Sequence, residues 1–197
     1  MAAKTESKPP VTPPPKREPA PGELAVVQEF INSMDFQDAD QLSGTDALGR
    51  WLAAHKLLKE KSSPTEADLR HAIEVREALR ELLAANDGDR VPKDAVETLS
   101  RAARSAQLVL QFASNGCAEL APAASGVDGA LGEIIAIAFR AMVDGSWRRL
   151  KACRDGTCRW AFYDRSKNRS GNWCLMSVCG NRSKARKYRQ HVHARAI

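Results

Sequence analysis

Between residues 24 and 143, apolar positions recur mostly at three- and four-residue intervals, the spacing that lines one face of a helix. Leu24, Val27, Phe30, Ile31 and Met34 predict a short helix over 22–35. Leu48, Trp51, Leu52 and Leu58 predict a second, with Thr45 as its cap. The clearest start signal is Ser63-Pro64-Thr65-Glu66: a capping residue, a proline at the first helical position, and a glutamate closing a capping box. The long helix it opens carries Leu69, Ile73, Arg76, Leu79, Leu82 and Leu83, and is expected to end at Asn86-Asp87-Gly88. Pro92 to Arg104 reads as another short helix.

The period then changes. Leu108, Leu110 and Phe112 alternate with Gln107, Val109 and Gln111, and Asn115-Gly116 follows as a turn signal. Residues 106–113 and 117–121 are expected to form a small β-hairpin, although the Ala-rich flanks also suit a continued helix. Cys117 is expected to be a small buried hydrophobe. A strongly apolar helix follows from Asp128 to Val143 with Leu131, Ile134, Ile135, Ala138 and Met142; the width of its apolar face predicts the central helix of the body. Gly145 ends it.

Composition changes the picture at both ends of this pattern. Seven of the ten prolines lie between Pro9 and Pro21 among few large apolar residues, which predicts a disordered leader. The segment from Met1 to Pro21 lacks the apolar block of a secretion signal, and no apolar run reaches the roughly 18 residues of a membrane helix. A cytoplasmic, nucleoid-associated protein without a membrane partner is therefore expected. The net charge of +6 conceals an asymmetry. Residues 146–197 hold 14 Lys or Arg and two acids, whereas residues 1–145 hold 16 basic and 22 acidic residues. A basic end on an acidic body is the footprint of a module that docks on phosphates.

Inside that basic end lie two matched cysteine pairs, Cys153 with Cys158 and Cys174 with Cys179. In a reducing compartment such a cluster reads as metal-binding rather than disulfide-forming. Four thiolates fill a tetrahedral zinc site and leave no open position for catalysis, so one structural Zn2+ is the leading reading. An iron–sulfur cluster uses the same ligand number and stays open on sequence grounds. Asp155-Gly156 suits a tight turn within the first pair, and the polar loop from Arg165 to Asn172 suits a hairpin tip between the pairs. After Cys179, Asn181 is a candidate N-cap, and no Gly or Pro interrupts Arg182 to Ala196. Tyr188 and Val192 are candidate anchors for that helix. Arg182, Lys184, Arg186, Lys187 and Arg189 are its candidate DNA-binding residues, for groove reading or for sequence-independent phosphate contact.

These residues resemble the bacterial family in which a CGNR zinc finger follows an N-terminal ABATE domain. The resemblance rests on the two cysteine pairs, on Trp160 to Ser166, and on Trp173-Cys174 followed by Cys179-Gly180-Asn181-Arg182. Upstream, Glu29-Phe30-Ile31-Asn32-Ser33 is similar to the family's Asp-Phe-Val-Asn-Thr, with Glu29 and Ser33 as departures; Leu48, Trp51 and Leu52, and then Arg76 to Arg80, also fit. It covers about residues 24–190 and implies a stress-related transcription regulator with a mainly helical body and a DNA-binding finger. The expected fold class is mainly α (α+β): a multi-helix body with a small β-hairpin, then a treble-clef or ribbon-like zinc module ending in a basic helix. The expected division is a leader over 1–22, an ABATE-like body over 23–145, and the zinc finger with its helix over 146–197.

Asn32 and Arg76, polar on otherwise apolar helices, are candidates for a ligand pocket, with an internal hydrogen-bond network or a helix cap as the favoured reading. No nucleophile–base constellation or phosphate-binding glycine loop occurs, so no enzyme activity is expected. The candidate partners are DNA, a small-molecule effector and a second copy of the chain. An interaction adaptor of the transcription machinery is the alternative function.

Overall fold

The computed structural model describes residues 18–58 and 63–195. The expected leader lies outside these residues up to position 17, but its last part is packed: Ala20 is buried and its N–H donates to Gln28 Oε1 at 2.6 Å. Helix α1 (Leu24–Ile31) is shorter than its apolar spacing predicts. It stops at Asn32, and Met34 instead forms a bridge with Asp40. Helix α2 (Thr45–Ala54) begins after Gly44 without a side-chain cap, and ends before Leu58, which packs half-buried against the core.

Helix α3 (Glu66–Ala84) does open with a capping box, two residues later than expected. Thr65 and Asp68 make the reciprocal bonds, Asp68 N to Thr65 Oγ1 at 3.2 Å and Thr65 N to Asp68 Oδ2 at 2.7 Å. Pro64 thus precedes the cap. A single 3₁₀ turn, Ala85–Asp87, carries the chain to Gly88, and helix α4 (Lys93–Ser105) follows Pro92.

Strands β1 (Leu108–Phe112) and β2 (Ala118–Pro122) form the expected antiparallel hairpin, with Leu110 opposite Leu120. Its alternation does not point into a core: Leu110 is 63% and Phe112 79% exposed, and Cys117 is exposed rather than buried. The reason is that only the base of the hairpin packs. A Cβ on Gly132 of helix α5 (Gly126–Asp144) would lie 2.5 Å from Ala106 Cβ and 2.9 Å from Pro122 Cβ, so the hairpin meets the helix backbone there. Beyond this close approach, the strands run past the helix into solvent.

Helix α5 packs against α1, α3, α4 and β2, which makes it the centre of the body. Ala130, Leu131, Ile134, Ile137 and Ala138 are buried along it, whereas Met142, expected on the same face, is exposed. Gly145 ends it in a left-handed conformation, φ 82°. After a 3₁₀ turn, strands β3 (Leu150–Ala152) and β4 (Ala161–Tyr163) pair antiparallel, with Lys151 opposite Phe162. Trp147, Leu150, Ala152 and Ala161 belong to the same core as Phe30, Leu79 and Leu131. The four paired cysteines and Phe162 form a second, small cluster, flanked by Trp160, Trp173, Leu175 and Val178. Helix α6 (Asn181–Arg195) ends the described chain, giving a mainly α fold with two small hairpins. Among the described residues, no helix is long and apolar enough to cross a membrane.

Candidate metal centre and its basic helix

The first cysteine pair occupies the β3–β4 turn itself, not the flank of a later hairpin. Cys153 follows β3, and Cys158 N and Arg159 N both donate to Asp155 O, at 2.7 and 3.0 Å. Arg159 takes a left-handed conformation, φ 48°, to close this knuckle. The loop 165–172, expected as a hairpin tip, instead folds around Asp164. The Asp164 carboxylate accepts Ser166 N at 3.0 Å and Gly171 N at 2.7 Å.

The second pair comes from the start of α6. Cys174 lies in a bend, Leu175 is extended, and Cys179 sits in a π-helical turn, Met176–Gly180, that runs directly into α6. Asn181 is therefore no N-cap; it is helical, and its Nδ2 donates backward to Ser177 O at 2.9 Å. Gly180 lies close under Met176 and Trp173: a Cβ there would displace the Met176 thioether and lie 3.3 Å from Trp173 Cδ1. Arg154 N donates to Asn172 O at 3.0 Å and ties the two halves together.

All four sulfurs lie within 4.8 Å of one another, each buried. Cys174 Sγ is 3.6 Å from Cys158 Sγ and 3.5 Å from Cys179 Sγ. A tetrahedron with metal–sulfur bonds of 2.3 Å has edges of about 3.8 Å, so the pocket fits one zinc ion. An iron–sulfur cluster places several irons and sulfides between its cysteine sulfurs, and four sulfurs this close leave no room for them.

The protonation of the cluster points the same way. Thiol hydrogen bonds from Cys158 and Cys174 pull Cys153 down to about 2, aided by the backbone N–H groups of Cys174 and Asp155. Hydrogen bonding to Cys153 pushes Cys158 up to about 12, and Cys174 is raised further by Cys153, Cys158 and burial. One negative charge forms easily and the next ones are opposed. A divalent cation removes that conflict.

Behind the sulfurs stands Asp155, fully buried. Its Oδ1 accepts Arg186 Nη2 at 2.8 Å and Thr157 Oγ1 at 3.0 Å, and its Oδ2 is 2.8 Å from Arg182 Nε. Burial raises its pKa, but the Arg186 and Thr157 hydrogen bonds and the Arg182 charge outweigh that and hold it below the usual carboxylate range. Arg182 Nη2 also donates to Cys179 Sγ at 3.2 Å. Two of the five cations expected to meet DNA are thus engaged within the module. Lys184, Lys187 and Arg189 are exposed and form no ion pair among the described residues. Tyr188 and Val192, expected as anchors, are exposed as well.

Asn32 and Arg76 are held in internal networks. Asn32 Nδ2 donates to Ala161 O at 2.9 Å, and Ala161 N donates back to Asn32 Oδ1 at 2.8 Å, as a neighbouring strand would. Gln28 Nε2 donates to the same carbonyl at 3.2 Å. Arg76 grips both oxygens of Asp40, at 2.7 and 2.9 Å, and Glu77 at 2.9 Å.

Sequence reasoning passed over Arg80, the largest fully buried side chain. It donates to Glu77 Oε2, Ile31 O and Arg159 O, at 2.9, 2.6 and 2.9 Å, and lies 5.0 Å from the centre of the Phe36 ring. It thus joins α1, α3 and the knuckle at one point. A second basic residue one turn after Arg76 on an apolar helix was the available signal. Lys151 does similar work on the other side, 2.9 Å from Asp87 and 3.5 Å from Asp164, all three buried.

Family comparison agrees with this architecture. Residues 24–145 match the ABATE model, described as "Putative stress-induced transcription regulator". The chain belongs to the ABATE family. Residues 149–191 match the CGNR zinc finger, so the cysteine cluster of this ABATE protein is a zinc site holding one structural ion. Both models describe regulators or zinc fingers rather than enzymes. No curated protein matches the chain.

Proposed function

We propose that this ABATE protein is a one-component, cytoplasmic transcription regulator whose zinc finger binds DNA in the nucleoid and whose helical body senses a signal or dimerises. The observation that carries this reading is α6 itself: a helix without an acidic residue, launched from the last zinc ligand and exposed from Lys187 to Val192. Zinc plays no catalytic part, because four thiolates complete its coordination. Its contribution is to fold the knuckle and set the direction of the helix.

The test is capture of sheared genomic DNA by the zinc-loaded full chain, with the Cys174→Ser variant beside it. Enrichment of particular duplexes by the first and not the second supports the proposal. Equal recovery of all duplexes by both sinks it, as does recovery of one stoichiometric protein partner and no DNA.

A further inference from the structure

The cations of α6 do not share one task. Successive helical residues are 100° apart, so Arg182 and Arg186 lie on one side of α6 and Lys184, Lys187, Tyr188 and His191 on the opposite side. The first side is turned inward: Arg182 and Arg186 close on the buried Asp155, and Arg182 also reaches Cys179 Sγ. The second side is turned outward, with Lys184, Lys187, Tyr188 and His191 all exposed.

We infer that Lys184 and Lys187, with Tyr188 beside Lys184 and His191 one turn on from Lys187, form the surface that enters the major groove of duplex DNA. Arg182 and Arg186 are positioning residues. The inference rests on the DNA-binding reading and divides its residues into two roles. Three physical points support it. An arginine already paired with a buried carboxylate gives up that pairing to meet a phosphate, whereas a solvated lysine exchanges only counterions. Lys184 and Lys187, three residues apart without an acid on the helix, repel one another until a polyanion neutralises them. An α-helix of 10–12 Å diameter also fits a groove about 12 Å wide.

The experiment measures affinity of the zinc-loaded full chain for a fluorescent mixed-sequence duplex across a salt series, together with zinc retention against a competing chelator. For Lys184→Ala/Lys187→Ala, affinity should fall roughly 10-fold or more and the log–log salt slope by about 2, with zinc retention unchanged. For Arg182→Gln, zinc retention should weaken while the slope of the zinc-saturated protein stays that of the wild type; Arg182→Lys should restore part of the retention. A lysine variant with wild-type slope, or an Arg182→Gln variant whose slope falls at full zinc occupancy, overturns the inference and leaves DNA binding standing. A wild-type chain that binds no duplex overturns both.

Discussion

The helical body is held together from the inside by apolar side chains: Val27, Phe30, Leu52, Leu79, Leu131 and Ile134 are all fully excluded from water. The metal centre has almost no such interior. Its cluster is four sulfurs and Phe162, and beside them stand two buried carboxylates, Asp155 and Asp164, each tied by backbone N–H groups and cations. One region is stabilised by hydrophobic burial, which is non-directional and tolerant of small shifts. The other is stabilised by directed bonds, each of which fails when one partner goes. The boundary between these regimes does not follow the boundary between the two family matches. Leu150, Ala152 and Ala161, from the β3–β4 hairpin, belong to the body's core, and the directed regime begins at Cys153.

The contrast is broken most completely by removing a ligand. Cys174→Ser should forfeit metal-binding free energy on the order of 10 kcal/mol, unfolding the segment beyond β4 while the body stays helical. Zinc stoichiometry by mass spectrometry, far-ultraviolet circular dichroism and tryptophan fluorescence would check this; loss of most helical signal would show that the two regimes are not separable.

A smaller break lies where the regimes meet. Arg80→Met removes a buried cation that Glu77, Ile31 O and Arg159 O all use, and should cost about 3–5 kcal/mol in urea unfolding of the zinc-loaded protein. A cost below about 1 kcal/mol, the level of an exposed pair, would remove Arg80 from the joint.

The smallest effect concerns acid. Burial raises the Asp40 pKa, but its hydrogen bonds from Arg76 and Leu42 N and the nearby positive charge prevail and hold it below 3.8. A lowered folded pKa gives stability that is complete above the unfolded value and is lost as pH falls from 3.8 through the folded one. The urea midpoint of the wild type should therefore exceed that of Asp40→Asn at pH 6, and the gap should narrow towards about pH 3. A gap constant with pH would contradict the Asp40–Arg76 pairing.

The sequence made the order of helices and the four ligands legible because both are local signals. Apolar spacing marks a helix, and a pair of cysteines five positions apart marks a knuckle whatever lies around it. Partnerships across the chain left weaker traces. Asp155 reads locally as a turn former, and only folding brings Arg182 and Arg186 to it. Leu110 and Phe112 alternate as core strand residues do, yet nothing in their spacing tells how far the hairpin overhangs α5. Asn181 has the residue type of an N-cap, but the preceding π-helical turn already supplies the helix with its first carbonyls. Asn32 and Arg76 stood out as polar groups on apolar helices, and each has hydrogen-bond partners within the protein.

The clasp between Asn32 and Ala161 also bears on the order in which this chain acquires its shape. The two residues are 129 positions apart, and Gln28 reaches the same carbonyl from 133 positions away. A chain emerging from the ribosome presents α1 long before β4 exists. Until then Gln28 and Asn32 have no strand to bind, and α1 cannot settle with them buried except at the cost of unsatisfied amides. Helix α1 is thus completed by a segment made well over a hundred residues after it, so the growing chain keeps α1 unfinished until the knuckle is about to form.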